Sequence, residues 1–240
     1  MLVLGTGGGN SQTPKAHPLM PATRINRLGF VNCYLVSEDD GLTLVDTMLP
    51  RSAGKIVAAA ERLGAPIVRI ALTHAHGDHI GSLDELHRLL PQAEVIISAR
   101  DARLLVKDMS LDSGESQGKL RGSYPGSSTP PTRTVADGDM IGSLQVVASP
   151  GHTPGHVSLF DNRDGTLLCG DAFVTLGGVA TSAKGSPRFP LPALATWDKP
   201  TELESARKLC GLKPTRLAPG HGKIVDAPLS DMEAAVARGV

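Results

Sequence analysis

The chain has 240 residues, 40% hydrophobic and 20% charged, a balance that suits a folded globular unit and excludes a disordered or low-complexity chain. Lys plus Arg equals Asp plus Glu at 24 each, and aromatics make up 3%, so the chain has neither the basic excess of a phosphate-gripping nucleic-acid binder nor an aromatic platform for stacked bases. No apolar run approaches the roughly 18 residues of a membrane span, and Cys33, Cys169 and Cys210 form neither a CxxC pair nor an even disulfide framework. They read as reduced, buried thiols, which places the expected location in the cytoplasm.

In chain order, Met1 to Gly9 lacks the charged start and long apolar run of a signal peptide. The stretch Gly5-Thr6-Gly7-Gly8-Gly9 is not followed by the helix a dinucleotide fingerprint requires. Residues 1–29 are therefore expected to be an irregular N-terminal segment. Val31 to Ser37 and Leu42 to Val45 read as strands of a hairpin across Glu38-Asp39-Asp40-Gly41, ending at Asp46. Arg51 to Leu63 reads as a helix closed by Gly64 and Pro66. A strand over Ile67 to Leu72 delivers the chain to Thr73. A helix over Gly81 to Leu90, a strand over Glu94 to Ser98 and a helix over Ala99 to Lys107 follow.

Residues 108–133, rich in Ser, Gly and Pro, read as an insertion over a site, since loops of this length are uncommon and usually functional. Then come a strand over Leu144 to Ala148, a hairpin of Val157 to Phe160 with Thr166 to Cys169, and a second irregular stretch from Phe173 to Thr196. A helix over Lys199 to Cys210, a strand over Arg216 to Ala218 and a helix over Leu229 to Ala237 close the chain. Each half begins with a hairpin and ends in helices, which suits two sheets packed face to face with helices outside.

The chemistry concentrates in Thr73-His74-Ala75-His76-Gly77-Asp78-His79, where three imidazoles and a carboxylate crowd into one turn after a strand. These are transition-metal ligands. The segment is too short for all four to reach one ion without strain, so they are expected to divide between two. Partners of the right kind lie far along the chain: His152, Asp171 and His221, each beside glycine in a loop after a strand. His87 on its helix reads as a surface or satisfied residue, and His17 has no motif around it. Cys169 would share a strand face with Asp171, but the ligand count is met without it. By itself, Asp46 reads as a cap or turn former.

Thr-His-Ala-His-Gly-Asp-His, Pro-Gly-His-Thr-Pro-Gly-His, Gly-Asp and Pro-Gly-His-Gly, in that order, resemble the metallo-β-lactamase superfamily over roughly Val31 to Lys223. The resemblance implies one α/β domain over residues 1–240, an αββα sandwich of two mixed β-sheets with helices on the outer faces and a dinuclear site at one edge. It implies His74, His76 and His152 on one divalent ion, Asp78, His79 and His221 on a second, and Asp171 bridging them. Zinc is the expected metal, and iron or manganese suit the same ligands. Asp46 becomes a carboxylate that orients a ligating histidine, and His156 a hydrogen-bonded residue outside the ligand set.

The implied activity is hydrolysis of an ester, thioester or lactone of a small-molecule substrate. A hydroxide bridging the two ions would attack the carbonyl, with Asp78 orienting the nucleophile and shuttling its proton. A bridging aspartate at position 171 argues against penicillin-like substrates. The competing implication is a persulfide-dioxygenase-like oxidoreductase with a single iron. No nucleic acid or membrane partner is expected. Tyr124 and Trp197 are the expected substrate contacts, and residues 108–133 are expected to govern substrate range more than metal content.

Overall fold

The computed structural model describes residues 22–239, so the glycine-rich stretch at 5–9 and His17 lie outside the described residues. The first half runs β1 (Thr23–Arg27), β2 (Val31–Glu38), β3 (Gly41–Val45), α1 (Ala53–Leu63), β4 (Ile67–Ala71), α2 (Gly77–Ile80), α3 (Leu83–Leu89), β5 (Glu94–Ser98), α4 (Ala99–Leu105) and β6 (Arg133–Val135). The second runs β7 (Met140–Ile141), β8 (Leu144–Ala148), β9 (Val157–Asp161), β10 (Thr166–Gly170), β11 (Phe173–Val174), β12 (Ala180–Thr181), α5 (Leu191–Ala195), α6 (Lys199–Gly211), β13 (Arg216–Pro219), β14 (Val225–Asp226) and α7 (Leu229–Gly239).

One sheet has the order β1-β2-β3-β4-β5-β6 and the other β14-β13-β10-β9-β8-β7, with β11 and β12 as a separate small hairpin. Both large sheets are mixed: β3 through β6 run parallel, β10 runs parallel to β13, and the remaining neighbours are antiparallel. Side chains that alternate along a strand point to opposite faces, and that alternation builds three apolar layers. On β2, Cys33 and Leu35 pack against α1 and α3 through Ile56, Leu83 and Leu86, while Tyr34 and Val36 face the other sheet. On β10, Leu168 faces the first sheet, whereas Leu167 and Cys169 pack with Ala206 and Leu209 of α6 and Met232 and Ala235 of α7. The result is an αββα sandwich of two mixed sheets with helices outside, as the motif resemblance implies.

Parallel pairing fixes where the site lies. The C-terminal ends of β3, β4, β10 and β13 open on one edge, where α/β sheets present ligand-binding loops. Backbone bonds stitch the two sheets together there: Val157 N–H donates to Thr73 O at 2.9 Å and Asn32 N–H to Gly220 O at 2.8 Å. The Asn32 side chain adds bonds to Pro219 O and Gly222 O, both 2.8 Å.

Several sequence expectations need correction. Residues 1–29 are not irregular throughout, because Thr23–Arg27 is a strand. Only Ile25 of its side chains is fully buried, so this edge strand carries almost no hydrophobic pattern. The helix expected over Gly81 to Leu90 is α3, Leu83–Leu89, but a separate one-turn helix, α2, precedes it inside the histidine segment, where none was expected. The stretch from Phe173 to Thr196 contains β11, β12 and α5, elements too short to leave a periodic signal. Residues 106–132, between α4 and β6, have no helix or strand.

Ile70 lies on β4 with no exposed surface, packed into the layer beneath α1 and α3. Ile70→Ala is expected to lower unfolding stability by about 2–5 kcal/mol, the cost of a buried aliphatic truncation. Urea denaturation of metal-free protein measures it, and a loss under about 1 kcal/mol would show that this layer collapses around the cavity.

Candidate metal centre

After β4 the chain bends at Thr73 and reaches His76 without helix or strand, bringing the His74 and His76 rings to a centroid distance of 4.8 Å. Ala75 N–H donates to Asp101 at 3.0 Å. The chain then turns into α2, whose consecutive residues diverge by about 100°. Asp78 thus faces the cleft with its side chain about a third exposed, while His79 is wholly buried. Loops after β8, β10 and β13 bring His152, Asp171 and His221 to the same place.

Among the described residues, ligand-type atoms meet in three groups: His74, His76 and His152; His74, His79 and Asp171; and Asp78, His79 and His221. His76 Nδ1 lies 3.0 Å from His152 Nε2. Asp171 stands between the two halves. Its Oδ2 is 3.4 Å from His152 Nε2 and 3.2 Å from His221 Nε2, and its Oδ1 is 3.3 Å from His79 Nε2. His221 Nε2 is also 3.3 Å from Asp78 Oδ2. All seven sequence-derived ligand candidates therefore converge on one point.

The outer nitrogens assign the tautomers. Asp46 only accepts, so the Thr73 hydroxyl donates to it at 2.9 Å and is left to accept from His74 Nδ1 at 3.0 Å. His79 Nδ1 donates to Asp46 at 2.8 Å, His221 Nδ1 to Phe30 O at 3.0 Å and His76 Nε2 to Arg121 O at 2.9 Å. The Thr196 hydroxyl, committed to a backbone carbonyl, accepts from His152 Nδ1 at 3.0 Å. Each imidazole so turns its second nitrogen inward. His74 Nε2, His79 Nε2 and Asp171 Oδ1 are buried and have no hydrogen-bond partner. Buried polar atoms are rarely left unpaired, so three unpaired ligand-type atoms at one centre fit a bound cation.

The electrostatics agree. Burial, helped by the neighbouring imidazoles, pushes His74 well below the usual histidine range. Burial also lowers His76 and His152, against the pull of nearby carboxylates. For His79 burial works in the same direction, but the Asp171 and Asp46 carboxylates outweigh it and hold the ring well above its usual range. Asp171 and Asp78 likewise outweigh burial at His221, which is raised to about 10. Burial disfavours the charged forms of Asp78 and Asp171, yet His221 and His79 hold both carboxyls below the usual range.

His156 accepts from Asp171 N–H through Nε2 at 3.1 Å, and its Nδ1 donates to Ser149 O at 3.0 Å, so it positions the Asp171 backbone. Burial lowers it to about 4, which keeps it neutral. Cys169 points away from the centre, into the layer with α6 and α7. Two supporting carboxylates carried no sequence signal. Asp101, in the first turn of α4, accepts from Ala75 N–H, Thr153 Oγ1 at 2.7 Å and Gly155 N–H at 2.8 Å, joining the two histidine loops. Glu202, in the first turn of α6, accepts from His152 N–H at 3.1 Å. In sequence both look like ordinary first-turn acids.

A cleft of about 90 Å³ opens over the cluster, with Phe30, Phe189, Leu191, Pro192 and Ala195 on one side and Gly122 and Ser123 on the other. Tyr124 and Trp197, the expected substrate contacts, do not line it. Tyr124 packs behind His76 with ring centroids 4.6 Å apart, and the Trp197 indole donates to Gly118 O at 2.9 Å. Only packing could place these aromatics behind the wall and Phe30 and Phe189 in it.

With this geometry, the comparisons with known proteins are consistent. A family model described as the metallo-beta-lactamase superfamily matches residues 26–221, and the chain belongs to that family. It is 46% identical over 207 residues to an uncharacterized Bacillus subtilis (strain 168) protein, YobT, covering 86% of this chain and 89% of the relative. It is 34% identical over 214 residues to a probable metallo-hydrolase of the same organism, YflN, covering 80% of each. Among solved structures, TTHA1623 in a di-iron-bound form matches with a TM-score of 0.64 and 27% identity, over 87% of this chain and 96% of that one.

Asp46→Ala removes the acceptor of both Thr73 and His79. Metal affinity is expected to fall by about ten- to a hundredfold, read by competition with a chromogenic chelator; unchanged affinity would make Asp46 a turn residue only.

Proposed function

We propose that the chain is a metal-dependent hydrolase that holds two divalent ions and cleaves an ester, thioester or lactone of a small molecule. The observation that carries this reading is the pair of ligand groups on either side of Asp171, with the buried His74 Nε2, His79 Nε2 and Asp171 Oδ1 left without a hydrogen-bond partner. His74, His76 and His152 would hold one ion, Asp78, His79 and His221 the other, and Asp171 would touch both. The name of the YflN relative and the di-iron form of TTHA1623 support the reading, and the latter makes iron as reasonable as zinc for these ligands. One domain carrying this site, with residues 108–133 as an insertion beside it, is part of the same proposal.

When bound, divalent ions supply Lewis acidity and a nucleophile that forms at neutral pH. The chain's own groups do the rest. Asp78 is ionised and reaches the cleft, so its carboxylate orients the attacking water and carries its proton to the leaving group. Phe30, Phe189 and Leu191 exclude bulk water and take the apolar part of the substrate. Asp171 keeps the two halves of the site in register.

Two outcomes are expected. Metal analysis should give two equivalents per chain, and the metal-quantified protein should hydrolyse at least one class in a panel of lactones, thioesters and aryl esters. Asp171→Ala should lower the stoichiometry and reduce turnover to background. One iron per chain with oxygen uptake would overturn the hydrolase reading in favour of the dioxygenase-like one. Metal binding should also release protons. The carboxylates beside His79 and His221 favour the protonated rings, so cations binding there must displace protons. Affinity should rise from neutral pH up to the His221 value of about 10, and calorimetry in buffers of different ionisation enthalpy should show the release.

A further inference from the structure

Residues 106–132 do not merely pass over the cleft. The Arg121 carbonyl accepts from His76 Nε2 at 2.9 Å, and the Tyr124 ring packs on the His76 imidazole. The Ser123 carbonyl accepts from Gly77 N–H at 2.9 Å, at the turn that starts α2 and aims Asp78 and His79. Gly122 has φ +90° and lies so close over His76 that a Cβ there would overlap the imidazole Nε2. The rest of the segment is tied to the framework. Trp197 bonds Gly118 O, Arg100 pairs with Glu115 at 2.6 Å, and Asp84 accepts from Ser127 Oγ at 2.6 Å and Thr129 Oγ1 at 2.7 Å.

The other inward-facing imidazoles take their outer partner from Thr73, Asp46, Thr196 or Phe30. His76 takes its partner from residue 121, in the middle of an irregular segment. An imidazole presents Nδ1 as a lone pair only when its proton sits on Nε2, and the Arg121 carbonyl is what receives that proton.

We propose that residues 121–124 are a positioning element for His76, so that metal occupancy and the seating of this segment are thermodynamically coupled. The proposal rests on the metal-centre reading above. It reverses the expectation that residues 108–133 govern substrate range more than metal content. Coupling between two events is reciprocal: whatever affinity the seated segment gives the metal, the metal returns as stability of the seated segment.

Both directions can be measured without turnover. Lys119 and Arg121 are exposed tryptic sites within the segment. Chelator-stripped full-length protein should be cut there about tenfold faster than zinc-loaded protein, since cleavage follows the open population. Gly122→Ala should weaken zinc binding by about ten- to a hundredfold, read by chelator competition. Gly126→Ala is the control. It has a similarly positive φ of +76°, but its Cβ would meet the flexible Lys107 side chain and Leu105 O, away from His76, so its zinc affinity should stay at the wild-type value.

Trp197→Phe removes the hydrogen bond at Gly118 and some packing of the buried indole, and should weaken zinc roughly two- to tenfold; it serves if Gly122→Ala does not fold. Equal cleavage rates with and without zinc overturn the coupling. So does wild-type zinc affinity in Gly122→Ala or, where that variant does not fold, in Trp197→Phe. A wild-type chain that binds no zinc, iron or manganese overturns the metal-centre reading itself, a result distinct from a chain that binds zinc indifferently to this segment.

Discussion

The Asp46 carboxylate is the contact on which the binding edge depends. It stands at the end of β3 with φ 62°, a left-handed conformation that aspartate tolerates better than most residues. From there it accepts from Thr73 N–H, the Thr73 hydroxyl and His79 Nδ1. One buried acid thus fixes the start of the histidine segment, the tautomer of His79 and, through Thr73, that of His74. His74 and His79, which the proposed function gives to different ions, are held by the same side chain, so the two rings cannot drift independently.

Buried carboxylates recur one layer out. Asp101 binds the Ala75 turn to the Thr153–Gly155 turn, and Glu202 holds the backbone of His152. Burial raises the Asp101 carboxyl to about 6 and the Glu202 carboxyl well above its usual range. A fully buried carboxylate is costly unless hydrogen-bonded, and these two are retained where donors from separate loops converge. The metal-binding edge is therefore a set of loops clamped by acids from helices α4 and α6, and the outer helices of the sandwich shape the site as well as covering the sheets.

The cleft divides its labour by polarity. Its floor holds the donor atoms, one wall is aliphatic and aromatic, and the other is backbone and Ser123 from residues 106–132. That last wall belongs equally to His76. On the proposed function, substrate selection and metal retention share this structural element, and changes in the segment would act on both.

The sequence by itself determined the layers and the candidate ligands. Near-continuous apolar runs on β2 and β10 dictate strands buried on both faces. The clustering of His74, His76, Asp78 and His79 after a buried strand is too dense to serve anything but a cation, and glycine-flanked His152, Asp171 and His221 completed the set through their resemblance to a known motif order. What has no periodicity was not legible: β1 is an edge strand with one buried apolar residue, and β11, β12 and α5 are shorter than any repeat that could reveal them. Asp101 and Glu202 look like common first-turn acids, because nothing local says that donors from distant loops will meet them. The roles of Tyr124 and Trp197 and the bond from His76 to Arg121 were decided by tertiary structure alone. Whether an aromatic ring lines a cleft or braces the loop behind it depends on which surfaces close over it, and contacts made across dozens of residues leave no mark on the residues' own neighbours.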